Sequence, residues 1–326
     1  MGLRFTSFLK VKEFGRRIDI MPPFAMMFPG QGSQKRGMLA EIAQNYSVIK
    51  QTFDQASHVL GYDLWHIVQH GPDKDLNNTI HTQPILITSS VALFRLWQEQ
   101  GRDNPTILVG HSLGEYSALV CAGALSLEEA VCLVKKRGHL MQKALFNKKV
   151  GMIIVIGLNN DLIFRICHNC GKEDNSIVQP VIFNSQREVV IAGKKSALRR
   201  VEKNCKISGA VVLSLSSIAS HCELMKPIAN EFASALDKVT LQTPQLPVLN
   251  NVDVRCESNS CQIRSSLVRQ LYMPVRWMEC IEFIMKQGIV IFIEVGPGNV
   301  LSKIIKRNSP HLTTINLDNS YFLNNL

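Results

Sequence analysis

The sequence predicts an α/β fold with a parallel sheet and a small inserted α+β subdomain. Two observations carry this prediction. Strand-like apolar runs alternate with helical patterns through about residue 145, which is typical of a parallel sheet with helical connections. Strand-like runs then cluster with only two helical patterns up to about residue 215, which indicates a separate α+β unit.

The first part of the chain supplies the strands and helices of the larger unit. Phe24–Phe28 is a core-like strand, and Ile107–Val109 is a short apolar run that a helical pattern follows over Glu115–Val120. A longer helix is predicted from about Ser126 to Ala144, because its apolar residues recur at helical spacing.

The predicted insert has four strand-like runs: Met152–Ile156, Val178–Phe183, Glu188–Ala192 and Val211–Leu215. Its two helical patterns are Leu162–Cys170 and Ser196–Lys206. This order is compatible with a split βαβ unit of the ferredoxin type. The larger unit then resumes with a helix over about His221–Val239. A strand over Val290–Val295 leads to a glycine turn, Gly296-Pro297-Gly298, and a final helix.

The composition of the chain limits the classes of protein to which it can belong. The chain has 326 residues, 46% of them hydrophobic, which suits one large domain or one domain with an insertion. The sequence shows no charge-free apolar run of about 18 residues, so no transmembrane helix is predicted. Nine cysteines without a secretory signal indicate a reduced, cytoplasmic setting. The formal charge of +10 suits an acidic partner or a phosphate-bearing substrate, or serves solubility alone.

The first 21 residues form a basic leader. Its cations are Arg4, Lys10, Lys12, Arg16 and Arg17, opposed only by Glu13 and Asp19. An organelle transit peptide would be poorer in acids and richer in serine. We therefore expect a nonfunctional, disordered leader, or a translation start at Met21.

The pentapeptide Gly110-His111-Ser112-Leu113-Gly114 has the G-x-S-x-G pattern of a nucleophile elbow. It lies between a strand-like run and a helical pattern, which is the context that such a turn requires. The two glycines let the backbone approach itself closely around a strained serine. Ser112 is therefore a candidate nucleophile for acyl chemistry.

A serine needs a base, which is usually a histidine that follows it in this fold class. The later candidates are His139, His168, His221 and His311. His221 is the most suggestive, because Ser220-His221-Cys222-Glu223 reads as a capping box that would place it, exposed, in a first helical turn. A structural role for this histidine remains the alternative. For the acidic third member, Asp237 and Asp253 are possible, and a backbone or amide carbonyl could do the same orienting work.

Arg137 falls within the apolar stripe of the predicted helix, which consists of Ala130, Leu133, Val134, Met141 and Ala144. A buried arginine is costly unless it meets an anion. It could pair with a buried carboxylate or extend its side chain to solvent. It could equally bind the carboxylate of a substrate in a bidentate manner.

Three further patterns bear on the site. The loop Pro29-Gly30-Gln31-Gly32-Ser33-Gln34 could place the N–H of Gln31 near the elbow, as a second oxyanion donor beside the N–H of Leu113. The single pair Cys167-His168-Asn169-Cys170 has no suitably spaced second pair, so no metal site is predicted. The basic helical face Lys194, Lys195, Arg199, Arg200, Lys203 and Lys206 lacks interleaved aromatic residues, which argues against nucleic-acid binding.

Together these motifs resemble the malonyl-CoA:acyl carrier protein transacylases and the related acyltransferase domains of polyketide synthases. The matching segments, in family order, are Phe28–Gln34, Thr82-Gln83-Pro84, Gly110–Leu119, Lys136-Arg137-Gly138, Phe183-Asn184-Ser185, Val189–Gly193, Ser220–Pro227, Gln270-Leu271-Tyr272 and Glu294–Gly298. The resemblance runs from about Pro23 to Leu317 and leaves only the two ends uncovered.

The resemblance implies a role for each matching residue. Ser112 would carry the malonyl ester, and His221 would act as general base and then as acid. The backbone carbonyl of Gln270 would orient His221. The N–H groups of Gln31 and Leu113 would bind the oxyanion. Arg137 would bind the malonyl carboxylate, with Gln83 nearby.

The implied fold is a hydrolase-like α/β core over residues 22–147 and 218–317, with a ferredoxin-like subdomain over 148–217 and a tail over 318–326. The active site would lie in the cleft between the two units. The implied enzyme is a cytoplasmic monomer without cofactor or metal, whose partners are malonyl-CoA and an acidic acyl carrier protein in fatty acid synthesis. Neither a membrane nor a nucleic acid is implied.

Alternative functions remain open at this stage. Ser220, directly before the base, leaves methylmalonyl and a polyketide pathway as alternatives to malonyl and fatty acid synthesis. A serine esterase or thioesterase would share the elbow but would need an acidic third member and no inward arginine. A catalytically dead module that binds a carrier protein is disfavoured, because Ser112 and His221 are both present.

Overall fold

The computed structural model describes residues 9–13, 16–215 and 218–318. The strands are β1 Leu9–Glu13, β2 Arg16–Ile20, β3 Phe24–Phe28, β4 Ile107–Gly110, β5 Val150–Ile156, β6 Val178–Ser185, β7 Glu188–Lys194, β8 Val211–Leu215, β9 Val248–Leu249, β10 Ile291–Glu294 and β11 Thr313–Asn316. The helices are α1 Ala40–Asn45, α2 Ser47–Leu60, α3 Leu64–His70, α4 Asp73–Leu76, α5 Thr79–Glu99, α6 Gly114–Cys121, α7 Leu127–Leu145, α8 Asn160–Lys172, α9 Lys195–Ile207, α10 Ala229–Leu236, α11 Ser260–Gln270, α12 Trp277–Lys286 and α13 Val300–Asn308.

The larger sheet is wholly parallel, with the strand order β11-β10-β3-β4-β9. Every residue of β3 and β4 is buried, because helices cover both faces of the sheet. One apolar cluster includes Met26 and Leu108 and packs against α5 and α7; the other includes Met27 and Val109 and packs against α12 and α13. The predicted α/β fold with a parallel sheet is confirmed.

The smaller sheet is antiparallel, with the order β6-β7-β5-β8, and α8 and α9 pack on one of its faces. Its opposite face carries Met152, Val190 and Ala192, which belong to the core of the larger unit. The loop between α11 and α12 pairs with the β6 edge of this sheet, because the backbone N–H of Phe183 donates to the carbonyl of Val275 at 2.9 Å. The predicted small α+β unit is thus present and is packed tightly on the core.

The segment after His221 differs from the continuous helix predicted over His221–Val239. A 3₁₀ helix spans Glu223–Ile228 and precedes α10. Pro227 lies inside this turn and has no N–H to donate, which disfavours regular α-helix there. The predicted capping box is also wrong: Cys222 occupies the cap position, and no side chain caps the turn.

The two ends of the chain are described only in part. Within the predicted leader, β1 and β2 pair as antiparallel strands. Residues 1–8, 14–15, 216–217 and 319–326 lie outside the described residues. The expectation of a nonfunctional leader, or of a start at Met21, stays a prediction. None of the helices described combines the length and the apolar character needed to cross a membrane.

Candidate active site

The pentapeptide forms a sharp turn between β4 and α6. Ser112 lies in the left-handed region, with φ of 54°. A Cβ atom on Gly110 would lie 1.9 Å from the carbonyl carbon of Gly114, and one on Gly114 would lie 2.0 Å from the carbonyl oxygen of Phe28. Both glycines are therefore required by close backbone contacts, and the turn presents Ser112 at the carboxyl edge of the large sheet.

Gly110→Ala should destabilise the fold by more than about 3 kcal/mol, because backbone has to move to admit the methyl group. Gly151→Ala is the matched control, since the nearest atom to its Cβ would be 3.7 Å away. We expect the control to change the free energy of unfolding by less than about 0.5 kcal/mol. Urea unfolding of the three proteins measures both values, and similar losses for the two variants would contradict this account of the turn.

His221 forms a hydrogen-bonded pair with Ser112. Its Nε2 lies 2.6 Å from the Oγ of Ser112, and its Nδ1 lies 2.7 Å from the carbonyl oxygen of Gln270. A carbonyl oxygen can only accept, so Nδ1 carries the proton and Nε2 is left as the acceptor for the serine. His221 itself adopts φ of 60°, which aims the imidazole across the elbow.

The surroundings of His221 keep its imidazole neutral. The side chain is 1% exposed, which corrects the prediction of an exposed histidine in a helical turn. Burial, together with the positive charge of Arg137, lowers the pKa of His221 to about 3. A neutral imidazole can accept the serine proton, so the pair can act as nucleophile and general base.

The other residues considered as base or third member lie elsewhere. His139, His168 and His311 are exposed. Asp253 accepts hydrogen bonds from Arg269, and Asp237 is exposed at the end of α10. The orienting group that the structure places on His221 is therefore a backbone carbonyl.

Arg137 projects from α7 into the same site and is 1% exposed, so it does not extend to solvent. Its Nη1 donates to Oε1 of Gln83 at 2.9 Å, and its Nη2 lies 3.4 Å from Oε1 of Gln270. The guanidinium also lies over the ring of Tyr116, 5.6 Å from its centroid. Nε of Arg137 is buried without a hydrogen-bond partner among the described residues. A cation whose partners are neutral amides remains available to an anion.

Gln83 is held rigidly beside Arg137. It is fully buried on α5, and its Nε2 donates to the hydroxyl of Thr79 at 2.9 Å. That bond leaves Oε1 to face the guanidinium. Gln83 therefore contacts one terminal nitrogen of Arg137, while Gln270 lies near the other.

Of the two predicted oxyanion donors, Leu113 lies in the elbow and Gln31 lies on a loop beside it. Leu113 immediately precedes α6, where the first N–H groups have no acceptor within the helix. Gln31 lies on the loop after β3, and its neighbour Gly30 packs so closely that a Cβ would lie 2.6 Å from the carbonyl oxygen of His111. The side chain of Gln31 accepts a hydrogen bond from Thr79 at 3.2 Å.

Sequence analysis missed two buried residues of the site, Asn251 and Glu115. The Oδ1 of Asn251 accepts from the N–H of Ser112 at 2.7 Å, and its Nδ2 donates to the carbonyl of Gly110 at 2.7 Å. Its own N–H donates to Glu115 at 3.0 Å. Asn251 follows β9, which is only two residues long, so no strand pattern marked it. Glu115 lies within a helical pattern and within a segment that matches the family, but neither assigned it a role.

A second set of residues, to which sequence analysis assigned no role, links the elbow to the small sheet. Nε2 of His111 lies 3.1 Å from Oδ1 of Asn184 on β6, and Asn184 donates to Glu188. Glu188 in turn accepts from Arg307 of α13 at 2.6 Å. His111 also packs edge-on against Trp277. These contacts hold the small sheet beside the elbow. Among the described residues, no group of three potential metal ligands is found.

The chain matches a known family over most of its length. Residues 25–315 match the family model for the acyl transferase domain. The malonyl CoA-acyl carrier protein transacylase of Salmonella typhimurium is 50% identical over 295 residues, which cover 90% of this chain and 95% of that protein. The protein of the same name from Bacillus subtilis is 36% identical over 298 residues, covering 90% and 93%.

Solved structures agree with the sequence matches. The malonyl CoA-acyl carrier protein transacylase of Coxiella burnetii superposes with a TM-score of 0.91 at 44% identity, covering 94% of this chain and 97% of that one. A malonyl-transacylase in complex with its type II polyketide acyl-carrier protein superposes with a TM-score of 0.90 at 49% identity, covering 93% and 98%.

Proposed function

The chain belongs to the acyl transferase domain family, and on this premise we propose that it transfers a malonyl group from malonyl-CoA to the phosphopantetheine thiol of an acyl carrier protein for fatty acid synthesis. The observation that carries the proposal is the buried Arg137, which shares Gln270 with the Ser112–His221 pair. That arrangement joins a serine nucleophile to a binding group for a carboxylated acyl chain.

The first half-reaction loads the serine. Nε2 of His221 takes the proton of Ser112 as its Oγ attacks the thioester carbonyl of malonyl-CoA. The C–S bond then breaks, and His221 returns the proton to the departing CoA thiolate. The malonyl group remains on Ser112 as an oxygen ester.

The second half-reaction reverses this chemistry with a different thiol. The phosphopantetheine thiol gives its proton to Nε2 of His221 and attacks the ester carbonyl. The bond to Oγ of Ser112 breaks, and the proton passes to that oxygen. Malonyl leaves as a thioester of the carrier protein, so the mechanism is ping-pong and uses no cofactor beyond the two substrates.

Both half-reactions pass through a tetrahedral oxyanion. We assign its two donors to the N–H groups of Leu113 and Gln31. The first lies at the N-terminal end of α6, where the helix dipole also favours negative charge. The N–H of Ser112 is not available for this role, because it already donates to Asn251.

The malonyl carboxylate is assigned to Arg137. The guanidinium can donate two parallel hydrogen bonds to a carboxylate in a buried setting, where charge-assisted bonds are strong. Gln83 and Gln270 hold its plane from two sides. A simple esterase has no use for such a group, and the backbone carbonyl on His221 also departs from the acidic triad member that esterases use.

The low pKa of His221 predicts an unusual pH profile. The base form persists as pH falls and is lost only near pH 3, so ester formation on Ser112 should stay nearly constant from about pH 8 to about pH 5. The rate of ester formation from acetyl-CoA, with circular dichroism at each pH to monitor folding, tests this. An acid limb near pH 6.5, the ordinary histidine value, would contradict the assignment.

We propose that the chain divides into the α/β core of residues 22–147 and 218–317 and a ferredoxin-like unit of 148–217. The contacts among β6, Val275 and His111 support a cleft between these units, with Ser112 at its base. We also propose that the protein acts as a cytoplasmic monomer.

The partner surface is proposed at a basic pocket beside the site. The pocket, of about 530 Å³, is lined by Lys148, Lys149, Lys194, Lys195 and Arg199, and by Leu224, three residues after His221. An acidic carrier protein docked there would have its prosthetic group close to the base. Arg200, which sequence analysis grouped with this face, instead pairs with Glu173 and Asp174.

Arg199→Glu should raise the KM for the carrier protein by about three- to tenfold, because it reverses an exposed charge in the pocket. Formation of the malonyl ester from malonyl-CoA should change much less. Lys50→Glu, an exposed charge on α2, is the control with the same change in net charge. Steady-state kinetics with holo carrier protein measures the effect, and equal KM values for the two variants would refute the docking surface.

Intact mass spectrometry tests the proposed function. Incubation with malonyl-CoA should add one malonyl group to Ser112, and holo carrier protein should then remove it as the malonyl thioester. Release of malonate without an adduct would support a hydrolase. No reaction at all would support a binding module.

The acyl group at this site has one specific alternative. Ser220, directly before the base, is a small, buried residue, and a small side chain at this position keeps methylmalonyl as the alternative acyl group. A related structure contains a carrier protein of polyketide synthesis, which makes that pathway the second candidate. Competition between malonyl-CoA and methylmalonyl-CoA for Ser112 separates the two, and we expect malonyl to be preferred.

A further inference from the structure

Glu115 is a buried carboxylate that the proposed mechanism does not use. It is the second residue of α6 and is 2% exposed. Its Oε2 accepts hydrogen bonds from the N–H of Asn251 at 3.0 Å and from Nε2 of Gln270 at 2.8 Å. One oxygen atom therefore holds two segments that lie 136 and 155 residues further along the chain.

Gln270, which donates a hydrogen bond to Glu115, also contacts Arg137. Oε1 of Gln270 lies 3.4 Å from Nη2 of Arg137, while its Nε2 also donates to the carbonyl of Ser112 at 3.1 Å. A side-chain amide has one donating and one accepting end. If it turned over, its NH₂ group would face the guanidinium and its oxygen would face Glu115, so both contacts would become repulsive. The acceptor at Glu115, together with the carbonyl of Ser112, thus sets the direction in which Gln270 presents its oxygen to Arg137.

The bond to Asn251 leads to the nucleophile and not to Arg137. Asn251 contacts the backbone of Ser112 and Gly110, and this contact serves every acyl group alike. Of the two hydrogen bonds that Glu115 accepts, only the one from Gln270 leads on to Arg137, the residue assigned to the malonyl carboxylate. Loss of that hydrogen bond should therefore affect malonyl and acetyl transfer to different extents.

We propose that Glu115 is a positioning residue that, through the amide of Gln270, orients Arg137 and thereby favours carboxylated over uncharged acyl groups. The proposal rests on the proposed malonyl transfer. It assigns Glu115 no contact with substrate. This role requires a side chain long enough for one oxygen to accept hydrogen bonds from both the side-chain amide of Gln270 and the backbone N–H of Asn251.

The titration of Glu115 is compatible with this view. Burial raises the pKa of Glu115 to about 7, against the lowering effects of the bonds from Asn251 and Gln270 and of the charge on Arg137. Near neutral pH the group is therefore not held fully ionised.

Two variants of Glu115 distinguish the effect of side-chain length from the effect of negative charge. Glu115→Gln keeps the length of the side chain and one oxygen that can accept from both amides, but it loses the charge. Glu115→Asp keeps the charge and is one methylene shorter. We expect Glu115→Asp to lower kcat/KM for malonyl-CoA about tenfold more than for acetyl-CoA, and Glu115→Gln to change this ratio less than about threefold. The opposite order, or equal losses with both donors, would overturn the proposal.

Gln270→Met provides a test that does not depend on the folding of the Glu115 variants. It removes the amide but keeps the backbone carbonyl that orients His221. Its malonyl-to-acetyl ratio should fall about tenfold, and an unchanged ratio would overturn the proposal. The wild-type protein distinguishes the two levels of inference. If it forms no malonyl ester on Ser112, the proposed function itself fails. If it does and the ratios stay constant, only the role of Glu115 fails.

Discussion

Arg137→Ala should lower kcat/KM for malonyl-CoA about a thousandfold, while the value for acetyl-CoA changes less than about tenfold. Two hydrogen bonds between charged groups are lost, each worth about 1.5–3 kcal/mol, and only malonyl carries the carboxylate that makes them. The ratio of kcat/KM for the two donors is the measurement, because it cancels damage common to both.

Arg137→Lys is the matched control for charge. A lysine keeps the cation but lacks the planar fork that meets both carboxylate oxygens, and Gln83 and Gln270 would lose part of their bonding. We expect it to recover only part of the malonyl preference. Equal losses with malonyl-CoA and acetyl-CoA in Arg137→Ala would remove Arg137 from its assigned role and would leave it as a structural cation.

Ser112→Ala should abolish the malonyl adduct and reduce transfer to the carrier protein by at least about 10⁴-fold, because it removes the hydroxyl that is hydrogen-bonded to His221. Ser117→Ala is the control, since Ser117 lies five residues further along, on α6, and forms no part of the pair. Intact mass and steady-state rates measure both. His221→Ala should fall to a similar level, as residues that act as a unit do not contribute additively. A residual adduct on Ser112→Ala would point to a different nucleophile.

Some of this site could be predicted from sequence because it depends on local pattern. The elbow needs two glycines at fixed spacing, because a Cβ atom at either position would lie only 1.9 or 2.0 Å from a backbone atom. Arg137 could be placed inside because α7 is a long, regular helix with a single apolar stripe. The α/β alternation likewise reflects the periodicities of covered strands and amphipathic helices.

Other features escaped prediction because distant segments decide them. His221 takes a positive φ that its neighbours do not signal, and the hydrogen bond from its N–H to Leu271 forms only once the chain has folded. The resemblance to the transacylases, rather than any local rule, led to the carbonyl of Gln270. Asn251 and Glu115 are ordinary polar residues in the sequence. Their importance comes from meeting in a place that water does not reach.

The bridge from His111 through Asn184 and Glu188 to Arg307 has a thermodynamic consequence. It joins an elbow residue, the small sheet and the last helix by hydrogen bonds with buried members. Neither unit can open without exposing polar groups that the other one satisfies. We therefore expect the protein to denature in a single cooperative transition, with catalytic competence and the whole tertiary structure lost at the same temperature.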